Sequence, residues 1–150
     1  MIETELIGEI SQNTFSKKLS EFKRKFGKPI EKKRLALMIT HIGSKIDTRI
    51  RITNGVAEIM QKVQITKETN GLRVKEEIPF PLNSNIDDIL TILKIISNLT
   101  IDSKNRIRLV VQIMSYTWSF DEYELKIAHQ FGLNDYYIYE IESKKENLDL

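Results

Sequence analysis

The sequence predicts an α+β fold of about eight antiparallel strands, with two or three helices packed outside the sheet. Three observations point there. Segment after segment sets charged residues two apart with apolar residues between them, and residues two apart in a strand share a face. The strands lie next to one another in sequence, which suits antiparallel pairing. Two amphipathic segments are available to cover the apolar face that such strands leave.

The elements follow in order. Residues 2–10 read as a strand, with Glu3, Glu5 and Ile7 on one face and Ile2 and Leu6 on the other. A helix comes next, with Asn13 or Thr14 as its cap and Phe15, Leu19, Phe22 and Phe26 at helical spacing. Gly27 and Pro29 stop it. Residues 33–42, 46–53 and 56–65 read as strands, and Asn54-Gly55 is a strong two-residue hairpin signal. Arg49 and Arg51 alternate with Ile50 and Ile52, and Glu58, Met60 and Lys62 with Ile59, Gln61 and Val63. Residues 71–80 form a strand carrying Arg73, Lys75 and Glu77, ended by Pro79 and Pro81. A second helix is expected over 86–97, capped by Asn85, with Ile89, Leu90, Ile92, Leu93 and Ile96 as its apolar stripe. Residues 104–115 read as a long strand with Arg106 and Arg108 on one face, and 116–124 as its hairpin partner. A short helix is expected over 124–131, ended by Gly132, then a last strand over 136–143 with Glu140 and Glu142 flanking Ile141. The polar tail from Lys144 is expected to fray.

Length and composition bound the function. The 150 residues suit one domain with one core. The net charge of +2 comes from 23 bases and 21 acids, so overall charge does not indicate a nucleic-acid partner. Cysteine is absent, which excludes disulfides and thiolate chemistry. No apolar run reaches the roughly 20 residues that span a bilayer, and no basic-then-apolar leader opens the chain. The expectation is a cytoplasmic protein with no membrane association, monomeric or homodimeric. Asn98-Leu99-Thr100 matches a glycosylation sequon, which carries no weight without a secretion signal.

The charged strand faces carry the functional signal. They point either to solvent or into the lumen of a closed sheet, and eight strands suffice to close a barrel with room for a ligand. Arg49-x-Arg51 and Arg106-x-Arg108 place like charges on one face, which repel unless neighbouring acids or an anion neutralise them. Arginine forks suit phosphate oxygens. Glu3-x-Glu5 and Glu140-x-Glu142 concentrate carboxylates in the first and last strands, where hard oxygen donors suit Mg2+ or Mn2+.

The order of these motifs resembles the CYTH superfamily, the triphosphate tunnel metalloenzymes. The family comprises thiamine triphosphatases, inorganic tripolyphosphatases, class IV adenylyl cyclases and RNA triphosphatases, built on an eight-stranded antiparallel barrel around a hydrophilic tunnel. Glu3 and Glu5 stand at its opening Glu-x-Glu-x-Lys motif, and Arg49 and Arg51 look like its first phosphate-binding pair. Lys62 resembles its tunnel lysine, and Lys75-Glu76-Glu77 its basic-Glu-Glu strand. Lys104-Asn105-Arg106 is similar to its Lys-x-Arg strand, Asp121 to a metal-site acid, and Glu140-Ile141-Glu142 to its closing Glu-x-Glu. The resemblance covers nearly the whole chain. It departs at Ile7, where the family has a cation that helps order the catalytic carboxylates or the attacking water.

The resemblance implies a hydrolase acting on inorganic tripolyphosphate, a nucleoside or thiamine triphosphate, or an RNA 5′-triphosphate. Phosphates would be held by Arg49, Arg51, Lys62, Lys75, Lys104 and Arg106. Mg2+ or Mn2+ would be held by Glu3, Glu5, Asp121, Glu140 and Glu142, with Glu3 and Glu5 also catalytic. Alternatives are polyphosphate or nucleotide binding without turnover, cyclisation of the class IV type, and a barrel whose charges only pair among themselves. His41, His129 and the aromatic residues read as packing. The lysines and Arg24 around the first helix read as a solvated face, with polyanion docking such as RNA as the sharper reading.

Overall fold

The alternating charges resolve as the inside and outside of a closed barrel. The computed structural model describes residues 2–41, 45–66, 68–81, 106–131 and 135–144. Its elements are β1 (Ile2–Glu9), α1 (Gln12–Phe26), β2 (Ile30–His41), β3 (Ile46–Thr53), β4 (Val56–Gln64), β5 (Leu72–Pro81), β6 (Arg106–Ser119), β7 (Tyr123–Phe131) and β8 (Tyr136–Ser143). The strands close in the order β1-β5-β4-β3-β2-β6-β7-β8, every neighbouring pair antiparallel. β1 is the closing strand, paired with β5 on one side and β8 on the other. The two Glu-x-Glu strands are therefore neighbours, although they lie at opposite ends of the chain.

Period two fixes which residues share the lumen. Glu3, Glu5, Arg49, Arg51, Lys62, Lys75, Glu140 and Glu142 all line it. Outward positions between them, such as Ile50 and Ile141, are apolar and need cover. α1 supplies it against β6, β7 and β8. Phe15 packs with Trp118 and Ile127 in a buried cluster that Leu19, Phe22 and Phe26 extend. Phe22 meets Trp118 edge-on at 5.5 Å, and Phe26 meets Phe120 at 5.2 Å. Trp118 Nε1 donates to the Gly27 carbonyl at 3.0 Å, tying the helix end to β6. On the far side, Ile50 and Ala57 form a second buried cluster with Ile52 and Ile59.

Local expectations are corrected in four places. The helix begins at Gln12 and its cap is Ser11, whose hydroxyl accepts from the Thr14 amide at 3.1 Å; Asn13 and Thr14 are already helical. β2 begins at Ile30, three residues before the expected start at 33. Pro79 and Pro81 lie inside β5 rather than beyond it, opposite Met60 and Glu58. The pairing of β5 with β1 ends at Glu76, so among the described residues proline's missing N–H falls beyond the β1 ladder. Lastly, β6 runs on through the expected hairpin partner to Ser119, and residues 124–131 are strand β7, not a helix. Leu125, Ile127, His129 and Phe131 share one face of β7, and Glu124, Lys126, Ala128 and Gln130 the other. The expected helix over 86–97 lies outside the described residues.

Candidate functional site

The lumen encloses a cavity of about 430 Å³. Its acids converge first. Register sets Glu5 opposite Glu142 and Ile7 opposite Glu140. One carboxylate oxygen from each of Glu3, Glu5 and Glu140 lies within 4.8 Å of the others, and all three residues are buried. Like charges at that separation repel unless a cation sits among them.

Protein cations meet part of that need. Lys62 Nζ donates to Glu3 Oε2 at 2.9 Å and also pairs with Glu77. Arg73 pairs with Glu5, and Lys75 Nζ approaches Glu5 at 3.2 Å. Lys126 pairs with Glu140. The electrostatics follow. Burial opposes the Glu5 charge, but Lys62, Lys75 and Arg73 outweigh it and hold its carboxyl below the usual range. Burial likewise opposes the Lys62 ammonium, and Glu3, Glu5 and Glu77 outweigh it and raise its pKa. Glu3 goes the other way: burial, aided by Glu5 and Glu77, lifts its carboxyl despite Lys62. Glu142 is pushed up to about 7 by burial and then by Glu3, with Glu140 adding to the effect against Lys126. The acid cluster therefore holds more carboxylate than its lysines and arginines satisfy.

A second cluster is cationic. Arg34, Arg49 and Arg51 line the same lumen. Arg51 Nε donates to Glu58 at 2.6 Å, and Arg49 Nε donates to Asp47 at 2.7 Å. Arg34 Nε donates to Thr53 Oγ1 at 2.9 Å. Burial, followed by the Arg51 charge, pulls the Arg34 guanidinium down to about 10. A cation in that setting is relieved by an incoming anion.

The structure thus brings together Glu3, Glu5, Arg49, Arg51, Lys62, Lys75, Glu140 and Glu142. Asp121 does not join them; it is exposed in the turn between β6 and β7 and is not among the lumen-lining residues. Lys104 lies outside the described residues. Position 106 opens β6 opposite His41, and among the described β6 residues Ile113, Ser115 and Thr117 line the lumen.

Several lumen residues carry no assignment in the motif reading: Lys32, Arg34, Arg73 and Lys126. Lys32 reads with the basic helix region that it adjoins, and Arg34, two residues on, belongs to none of the motifs. Lys126 stands two after Glu124, a signal hidden by the helical reading of 124–131.

No model of a known protein family matches the chain, and no curated protein matches it. Solved structures do match, at the level of the fold. A Bacillus halodurans protein with a proposed adenylate cyclase assignment is 16% identical, with TM-score 0.63 over 95% of this chain and 80% of its own. The Hippeastrum protein HpAC1, proposed as an adenylyl cyclase and described as having a dominant triphosphatase activity, is 15% identical, with TM-score 0.67 over 96% and 80%. A structure of the Schizosaccharomyces pombe Mediator head module aligns over 100% of this chain and 86% of the matched chain, with TM-score 0.65 and 9% identity. The likeness is one of fold, a closed eight-stranded antiparallel barrel consistent with the triphosphate tunnel fold. One barrel fold spans all three structures, so the fold alone does not fix a function.

Proposed function

We propose that this chain is a divalent-metal-dependent hydrolase of a triphosphate, with Mg2+ or Mn2+ as the metal. The observation that carries the reading is the pairing of two opposite clusters in one lumen: buried Glu3, Glu5 and Glu140, and the arginines at 34, 49 and 51. The Hippeastrum barrel with its triphosphatase activity supports it. The acid cluster fits a hard cation, because three buried carboxylate oxygens lie within 4.8 Å and Glu142 beside them resists ionising.

Glu3, Glu5 and Glu140 would hold the metal, with Glu142 completing the donor set. A bound Mg2+ or Mn2+ would supply neutralisation of charge on the phosphates and a polarised water. Arg34, Arg49 and Arg51 bind phosphate oxygens, with Asp47 and Glu58 holding the forks of the last two in place. Lys75 adds a point charge beside Glu5. Lys62, bridging Glu3 and Glu77, fixes the orientation of Glu3 rather than waiting as a free phosphate ligand. Rate enhancement then comes from positioning and fixed charge.

Tripolyphosphate hydrolysis with Mg2+ and with Mn2+ tests this, beside a Glu3→Ala/Glu5→Ala double variant. The expected outcome is turnover in the parent and a loss of at least about a hundredfold in the variant. Equal rates in both proteins sink the proposal. One observation favours a second reading, binding without turnover: Ile7 supplies no cation opposite Glu140, and Lys126 from β7 takes that place. That reading expects saturable triphosphate binding and no product. Cyclisation of the class IV type predicts a cyclic nucleotide and pyrophosphate from ATP.

A further inference from the structure

The lumen is not charged all the way round. Ile7, Ile138, Ala128 and Ile113 line it from β1, β8, β7 and β6. Register makes them contiguous. Ile7 is opposite Glu140, two residues from Ile138 on the same face. Ile138 is opposite Ala128, and Ala128 is opposite Ser115, two residues from Ile113. Same-face neighbours on adjacent strands lie within about 5–8 Å. The row containing Ile113 continues to Gln130 and then to Tyr136, which is 39% exposed. On its other side Ile113 is opposite Arg34, so the apolar wall meets the arginine cluster directly.

An inorganic polyphosphate has no apolar surface to place against such a wall. Four apolar side chains beside a polyanion would withhold hydrogen bonds from its oxygens. Ile7, where the opening motif loses its cation, is one of the four. We infer that the ligand is an organic triphosphate carrying a planar ring, its phosphates at the arginine cluster and its ring against Ile7, Ile138 and Ile113, with Tyr136 and Gln130 at the rim. The inference rests on the triphosphate reading above and narrows its substrate class. Tyr136 supplies a stacking surface and Gln130 an amide that can both donate and accept toward a ring edge.

Isothermal titration calorimetry tests it, with Mg2+ present and inorganic tripolyphosphate, ATP, GTP, CTP and UTP as probes. At least one nucleoside triphosphate is expected to bind roughly tenfold more tightly than tripolyphosphate, the scale of one stacked ring. Tyr136→Ala and Ile138→Asn, each checked for a native circular-dichroism spectrum, are expected to erase that preference and leave tripolyphosphate affinity within about twofold. Tyr136 is at the exposed rim, so its variant keeps the test open if Ile138→Asn fails to fold. Tripolyphosphate binding as tightly as all four nucleotides overturns the inference, as does a preference that survives Tyr136→Ala. Binding by none of the five overturns the triphosphate reading itself, and this inference with it.

Discussion

Glu142 is the lumen carboxyl whose surroundings most oppose its charge. Its pKa rises from 4.5 to about 7, first through burial and then through Glu3. A raised acid binds its proton more tightly folded than unfolded. The unfolded chain therefore binds fewer protons between these values, and the Glu142 contribution to stability falls as pH rises from about 4.5 to about 7. Glu5 and Glu77, whose carboxyls are held below the usual range, contribute in the opposite direction at lower pH. Comparing Glu142→Gln with the parent isolates the first effect. In chelator-treated protein, guanidinium denaturation is expected to show the variant gaining on the parent at pH 7 relative to pH 5. The same difference at both pH values would contradict the assignment. Residues of this kind were legible because they repeat in pairs: Glu3 with Glu5, Arg49 with Arg51, Glu140 with Glu142. Arg34 and Lys126 were not, since neither belongs to a recognised pair and each became lumen-lining only through the register of its strand.

At the scale of elements, α1 shows how one side of the barrel, over β6, β7 and β8, covers its apolar outside. The helix starts at a serine cap and ends at Gly27, whose φ of 82° needs no Cβ. Its anchor is Phe15, 8% exposed against Trp118 and Ile127. Phe15→Ala is expected to cost about 3–5 kcal/mol, read as a lower denaturation midpoint at an unchanged slope. A cost under about 1 kcal/mol would show that α1 is only loosely seated. This helix was legible from its phenylalanine spacing. β7 was not, because Glu-Leu-Lys-Ile-Ala is composed of helix formers and the preceding turn, Phe120-Asp121-Glu122, holds neither glycine nor proline. Tertiary pairing with β6 and β8 overrides that propensity. At another turn the chain has no such freedom. Gly71 has φ of 81°, and an added Cβ would lie 2.3 Å from the Ile7 carbonyl oxygen, so only glycine fits where β5 meets β1.

The whole molecule depends on a closure between distant parts of the chain. β1 joins β5 and β8, so Glu3 and Glu5 are set beside Lys75 and Glu142 by contacts that no local pattern encodes. Strand count and the helices available to cover the apolar face turn the charged face inward; the order of acids and bases, through the family it resembles, then gives each strand a role. Closure also concentrates charge: Arg34, Arg49 and Arg51 share one lumen with Glu3, Glu5 and Glu140. Folding sets these charges against one another at a cost that a ligand bearing the complementary charges would offset. A magnesium triphosphate that binds only the folded barrel stabilises it by about 2.7 kcal/mol at a hundredfold excess over Kd. For a chain of this size that is a rise in Tm of roughly 5–10 °C. The rise is expected to need both components, because the metal alone meets only the acids and the anion alone meets only the arginines. It is also expected to shrink in an Arg49→Met/Arg51→Met variant whose own Tm stays measurable. A Tm that ignores magnesium tripolyphosphate and every magnesium nucleotide would mean that these charges serve only to pair with one another, and the lumen would then be a structural core.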